Sequence, residues 1–440
     1  MNRSTRTNRR TFLAHTAAGA AAGIAAPYFV RPSALGLAGA VAASERIVMG
    51  CIGTGGMGKG DMNAFMGFPD VQVIAVCDVD TAHRNEAKGL VDKKYGNQDC
   101  AAFKDFRELL AKKEIDAVTV TTPDHWHALA SVAAAKAGKD IYCEKPLANS
   151  VAEGRAIVKA VGENNRILQT GSHERSGGNA RYACELVRNG RIGKLHTIRI
   201  NLPCDDDHHK QAMAIKDLPP TQPVPEGFDY DMWLGHTAVA PYHEKRCHFW
   251  WRFNLAYGGG EMTDRGAHVI DLGQLGHGTD DTGPTEIVAS GTRNEGSLYN
   301  AFWTYKFSNK FADGVTMIGQ SEGQRGLKFE GDSGWIFIHV HGAKLEASSP
   351  AILQEKIGEG EIQLGRSPGH QRNFMDCVKS RATPMAPAEA GHRTASLCHL
   401  NNIAMIVGRP LKWDPAKEQF LGDDEANKLL KPAMRMPWSV

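Results

Sequence analysis

The sequence predicts an α/β protein whose N-terminal part is a doubly wound parallel sheet. Three observations predict it. Short apolar, partly β-branched runs alternate with helical stretches. The first such run, Ile47–Ile52, passes directly into the glycine turn Gly53-Thr54-Gly55-Gly56-Met57-Gly58. The chain has 440 residues, 42 % hydrophobic and 23 % charged, which is enough for two or three globular domains.

The elements follow in order. Val71–Cys77 is a second strand and ends at Asp78. The run 116–122 is a third, stopped by Pro123. Residues 127–138 are alanine-rich and helical, with Gly138 as C-cap. Asp140–Cys143 is a further strand leading into Glu144-Lys145-Pro146. Ser150-Val151-Ala152-Glu153 is a capping box that opens the next helix. Residues 166–170 form the last strand of this part, which we bound at 44–168.

The glycine turn carries the first chemical expectation. In G-x-G-x-x-G after a strand, Gly53 permits the tight turn, Gly55 lets backbone approach a pyrophosphate, and Gly58 lets helix and strand pack closely. The helix N-terminus stabilises phosphate charge. Asp78 lies 20 residues beyond Gly58, where an acid hydrogen-bonds a ribose 2′-hydroxyl. An acid there disfavours a 2′-phosphate, so NAD is expected over NADP, with the nearby Arg84 as the counter-argument.

Residues 1–43 contain five arginines, no lysine and no acid. With those cations removed, the formal +2 becomes −3, so the body is slightly acidic and nothing in it suggests nucleic-acid binding. Asn8-Arg9-Arg10-Thr11-Phe12-Leu13 resembles a twin-arginine export signal. An uncharged Ala/Gly stretch and small residues around Ala38-Gly39-Ala40 follow it. This predicts a periplasmic protein without stable membrane insertion, a retained membrane-anchored leader being the alternative. Nine scattered cysteines, odd in number and without C-x-x-C, read as small buried hydrophobes and not as a disulfide framework.

Two further marks, Thr122-Pro123-x-x-x-His127 and Glu144-Lys145-Pro146, give the sequence its family resemblance. It resembles the glucose–fructose oxidoreductase/inositol dehydrogenase/rhizopine-catabolism (Gfo/Idh/MocA) family over nearly everything after the leader. The resemblance implies a second α/β domain over 169–440, with a large, open, mostly antiparallel sheet that carries substrate determinants and an oligomer interface. The implied assembly is a homodimer or homotetramer. The β-like runs 302–307 and 335–340 suit that sheet, and 370–380 and 390–407 read as helices. The resemblance also places Thr122, Pro123, His127, Glu144 and Lys145 around the dinucleotide, His127 beside the nicotinamide ribose.

The catalytic candidates come from Gly258-Gly259-Gly260 followed by Glu261 to Leu272. Asp264 and His268 are four apart, so on a helix they share a face, and the carboxylate would raise the imidazole's basicity. His268 suits a general base, its ordinary pKa lying near neutrality. Lys145 would donate to an oxygen becoming a carbonyl. By resemblance, the family's catalytic lysine, aspartate and histidine fall on Lys145, Asp264 and His268. Arg175, Trp250 and Arg252 are candidate substrate contacts. Asp205-Asp206-Asp207-His208-His209 is read as a solvated loop or strand, and no metal is assigned.

The expected activity is NAD(P)-dependent oxidation of a hydroxyl on a sugar, polyol or sugar derivative. Export removes the protein from any soluble nicotinamide pool, so the cofactor is expected to be tightly held and recycled between two substrates. The alternatives are a glycoside hydrolase working by transient oxidation of a sugar hydroxyl, and a non-catalytic sugar-binding protein.

Overall fold

The computed structural model describes residues 41–341 and 344–440. The expected leader therefore lies, except for its last three residues, outside the described residues. No helix among the described residues is long and apolar enough to cross a membrane.

The first sheet has six strands, all parallel: β1 (Ile47–Ile52), β2 (Val71–Cys77), β3 (Ala101–Phe103), β4 (Ala117–Val120), β5 (Asp140–Cys143) and β6 (Leu168–Thr170). Their order, β3-β2-β1-β4-β5-β6, is the doubly wound order with its switch point between β1 and β4. The intervening helices are α1 (Gly56–Met66), α2 (Thr81–Tyr95), α3 (Phe106–Leu110), α4 (Asp124–Lys136) and α5 (Val151–Glu163). Both faces are covered, which is why β4 and β5 are buried at every residue and read as unbroken apolar runs. The caps follow the sequence. Ser150 accepts the Glu153 N–H at the start of α5, and Gly138 sits at φ +75° after α4.

The second sheet has nine strands. β7 (Leu195–Asn201), β8 (Glu286–Arg293), β9 (Phe302–Lys310), β10 (Thr316–Gln320), β11 (Gly326–Gly331), β12 (Gly334–Ile338), β13 (Leu345–Ala347), β14 (Leu411–Asp414) and β15 (Gln419–Phe420) lie in the order β13-β12-β11-β7-β10-β9-β8-β14-β15. Only β7 with β10 is parallel. Strand β8 alternates buried and exposed residues over its first half, the mark of a sheet packed on one face. Helices α6 (Gly178–Arg188), α7 (Asp207–Met213), α8 (Tyr230–Leu234), α9 (Glu261–Asp264), α10 (Gly266–His277), α11 (His370–Ser380) and α12 (Ala388–Val407) complete the part that positions the site. The chain is thus α/β as expected, with a parallel sheet followed by a mostly antiparallel one.

Two local expectations are corrected. Asp205–His209 is neither strand nor loop: Asp206 caps α7, accepting a backbone N–H three residues on while His209 reaches back to its own N–H. The segment from Glu261 is not one helix, because Arg265 separates α9 from α10. All nine cysteines are free and eight are buried, in line with their reading as small apolar residues.

Helix α10 lies unusually close to the sheet. A Cβ on Gly276 would fall 2.3 Å from Cζ of Phe329 on β11, a ring with no exposed surface. Gly276→Ala sets a helix-propensity gain of up to about 1 kcal/mol against overpacking worth about 1–3 kcal/mol. Overpacking wins, and we expect a net loss of about 1–2 kcal/mol in urea unfolding. A stabilised variant would mean the helix can slide off the sheet.

Candidate active site

A cleft of about 620 Å³ runs along the C-terminal edge of the parallel sheet and is closed by residues of both sheets' domains. The glycine turn forms one end. Gly53 has φ +82°, and a Cβ there would lie 2.6 Å from the Thr121 carbonyl oxygen. A Cβ on Gly58 would lie 2.0 Å from the Gly53 carbonyl oxygen, so only glycine lets α1 meet β1 this closely. Gly56, by contrast, faces open space, and a Cβ on Gly55 would meet only the His83 ring, at 3.9 Å. No side chain caps α1, and its first turn carries no acid. Its free N–H groups therefore fit a pyrophosphate.

Asp78 lies at the end of β2 and lines the cleft. Its Oδ2 accepts the Thr54 N–H at 2.7 Å and the Thr54 hydroxyl at 3.3 Å, and its Oδ1 accepts the Asp80 N–H at 2.9 Å. Thr54 is fully buried behind the wall, so it holds Asp78 instead of facing a ligand. Arg84 turns away: its guanidinium donates to the Asp78 carbonyl oxygen and the Thr81 hydroxyl. The counter-argument for NADP thereby loses its residue. His83, Trp126 and Trp233 extend this wall. Thr122, Pro123 and His127 line the cleft as well, though the His127 imidazole is almost wholly buried. It reaches the Pro146 and Thr122 carbonyls at 2.7 and 3.0 Å. Burial pushes its pKa down to about 4, so it is neutral and its single N–H donates to one of these two carbonyls. It braces the Thr122-Pro123 turn against Lys145-Pro146.

The other end of the cleft gathers Lys145, Asp264, His268 and Arg252. Lys145 Nζ donates to Asp264 Oδ1 at 2.6 Å, and Arg252 Nε stands 3.6 Å from Oδ2. Burial works against both charges. Asp264 and Glu144 nevertheless hold the Lys145 ammonium above its usual pKa, and Lys145 with Arg252 hold the Asp264 carboxyl well below the carboxylate range. The expected Asp264–His268 pair does not form. Arg265 breaks the helical register between them, and two cations have taken the carboxylate. Burial, reinforced by the nearby positive charge of Lys145, pushes His268 well below its usual value, so its imidazole is neutral. Its Nδ1 has no hydrogen-bond partner among the described residues.

Two substrate candidates lie elsewhere. Arg175 is 2 % exposed and fully engaged by Asp271, at 2.7 Å to each oxygen, and by Asp280 at 2.8 and 2.9 Å. Two buried or half-buried carboxylates outcompete any ligand for it. Trp250 packs against Tyr299 in a separate aromatic cluster, and its neighbour Trp251 lines the cleft instead. His173 and His341, which no motif announced, also line it.

The model for the NAD-binding Rossmann fold of the oxidoreductase family matches residues 47–172. The model for that family's C-terminal alpha/beta domain matches residues 178–440. The chain belongs to the Gfo/Idh/MocA oxidoreductase family. Among relatives in it, myo-inositol 2-dehydrogenase of Thermotoga maritima is 33 % identical over 152 residues, 34 % of this chain and 44 % of that protein. The chain thus spans less than half the length of that relative in the match. The Bordetella pertussis WlbA dehydrogenase, solved with NADH and UDP-GlcNAcA, superposes with TM-score 0.60 at 17 % identity, covering 84 % of this chain and 99 % of that one. The Caulobacter crescentus aldose-aldose oxidoreductase, solved with glycerol, gives TM-score 0.59 at 19 % identity over 83 % and 99 %. These two likenesses show the fold.

Because Arg175 is structural, Arg175→Met should leave two carboxylates, one of them fully buried, without their cation and destabilise the protein by about 3–5 kcal/mol. Dinucleotide affinity, read by fluorescence titration, should stay within about twofold, the cleft being untouched. A selective loss of affinity with unchanged stability would return Arg175 to the site.

Proposed function

We propose that this protein is an NAD-dependent oxidoreductase acting on a secondary hydroxyl of a sugar, polyol or sugar derivative. One observation carries the proposal. The Lys145–Asp264 pair and a neutral His268 line the same cleft as the glycine turn and Asp78.

The dinucleotide supplies the hydride acceptor when bound. The chain supplies the rest. The N-terminus of α1 would hold the pyrophosphate and Asp78 the ribose hydroxyls of the adenosine half. His268, kept neutral by burial, takes the hydroxyl proton as general base. The Lys145 ammonium, held charged by Asp264, donates to the oxygen as it turns into a carbonyl. Asp264 accordingly serves as the anchor of Lys145 and not as the orienting partner of His268. Trp251 and Arg252 offer an apolar face and a polar edge for a carbohydrate ring.

The twin-arginine-like leader supports a periplasmic enzyme that is loaded with its dinucleotide before export. Such an enzyme would recycle the cofactor by oxidising one substrate and reducing another. Mass spectrometry of undialysed protein should then find bound dinucleotide; a dinucleotide-free protein that binds NAD only in rapid exchange would defeat the recycling reading.

His268→Ala should retain NAD but lose about 10²–10⁴-fold in turnover. The assay follows reduced nicotinamide on a panel of inositols and aldoses. Near wild-type turnover in the variant would remove His268 from the base role. No turnover by the wild type on any polyol or aldose would remove the substrate class.

A further inference from the structure

The cleft also holds a knot of imidazoles that the proposed chemistry leaves unused. His173 and His341 both line it, and Glu174 is buried between them. One oxygen of Glu174, Oε1, stands 3.4 Å from His173 Nε2 and 3.2 Å from His341 Nδ1. It also receives the His341 backbone N–H at 3.2 Å. As hydrogen bonds, these sit at or beyond the long end of the usual range of about 2.7–3.2 Å. As edges of a coordination polyhedron they fit. Donors held about 2.0–2.1 Å from a zinc-type ion in tetrahedral geometry stand about 3.3 Å apart. The three donor atoms lie within 4.8 Å of one another. The His173 and His341 side chains are 46 % and 37 % exposed, so their rings have room to close the remaining edge.

A second observation points the same way. His268 is 4 % exposed, and its Nδ1 is buried without a partner among the described residues. Its ring centroid lies 4.6 Å from that of His173 and 5.0 Å from that of His341. A buried, unpaired imidazole nitrogen costs free energy unless something polar meets it. Here the ring that carries it lies beside both histidines of the His/Glu group.

Two other groups have donor atoms as close together, and neither competes. In Asp206, His208 and His209, the Asp206 carboxylate is already held by Arg265 at 2.5 Å and Arg325 at 3.2 Å, which would repel a cation. In Asp80, His83 and His248, the Asp80 carboxylate caps α2 through the Ala82 N–H at 2.8 Å. Its nearest imidazole nitrogen there, His248 Nε2, is 3.9 Å away.

We propose that His173, Glu174 and His341 bind a divalent transition metal of the zinc class, with an open coordination position facing His268. Two histidines and one carboxylate with a free position are the donor set of catalytic metal centres. Water would take that position, and His268 Nδ1–H would donate to it. That fixes the tautomer with Nε2 free as base, the orienting task that Asp264 does not perform. The metal site goes beyond the oxidoreductase reading and is tested apart from it.

Zinc chloride titrated into the full-length, chelator-treated protein in a calorimeter should show one equivalent bound at micromolar or tighter affinity. His341→Gln and Glu174→Gln should each weaken it by at least tenfold. His341 is partly exposed, so its variant keeps the test sound if the buried Glu174 variant fails to fold. Urea unfolding without metal checks both. Absence of saturable zinc binding by the wild type overturns the proposal. So does binding that survives His341→Gln, or that is lost on His83→Gln or His208→Gln instead. A parallel NAD titration separates the two readings: a protein that binds zinc but no dinucleotide keeps the metal site and loses the oxidoreductase.

Discussion

The ion pair between Lys145 and Asp264 is the constraint on which the site depends. Lys145 follows the C-terminal end of β5 and Asp264 ends α9, so one 2.6 Å contact joins the parallel-sheet domain to the helices of the antiparallel one. Both side chains are largely buried, at 16 % and 22 % exposure. At that depth neither charge is tolerable alone. The pair therefore ties the two walls of the cleft together, and the same contact keeps Lys145 charged beside the glycine turn's end of the sheet. Burial does opposite work on His268, stripping its proton. A cation and a neutral base thus coexist in one wall because their partners differ.

Much of this was legible in the sequence, and the reason is locality. The parallel strands are buried on both faces and announce themselves as apolar runs; the glycine turn, Asp78, the Glu-Lys-Pro element and the Asp264/His268 segment are all short motifs. Strand β3 and helix α3 were not read, at three and five residues too short to show a period. The order of the nine-stranded sheet was beyond reach, since β7 pairs with β10 and β11 more than a hundred residues away.

The errors at the site have the same cause turned round. The four-residue spacing of Asp264 and His268 suggests a pair, yet the charge that captures Asp264 arrives from residue 145. Arg175 follows the last parallel strand closely, but the carboxylates that claim it come from residues 271 and 280. His173, in the same turn, was passed over although its position beyond Thr170 at a strand's C-terminal end was a usable signal. His341 and Trp233 are single residues in no motif, and only folding brings them to the cleft.

The nine free cysteines bear on where such a protein can work. Burial pushes the Cys51 thiol up to about 12 and the Cys100 thiol to about 11, and raises the Cys77, Cys143, Cys184, Cys204, Cys247, Cys377 and Cys398 thiols as well. At neutral pH a thiol of pKa about 12 is ionised only to roughly one part in 10⁵. Disulfide exchange and peroxide attack both require the thiolate. Once the chain is folded, these thiols are therefore slow to enter disulfide exchange or to react with peroxide.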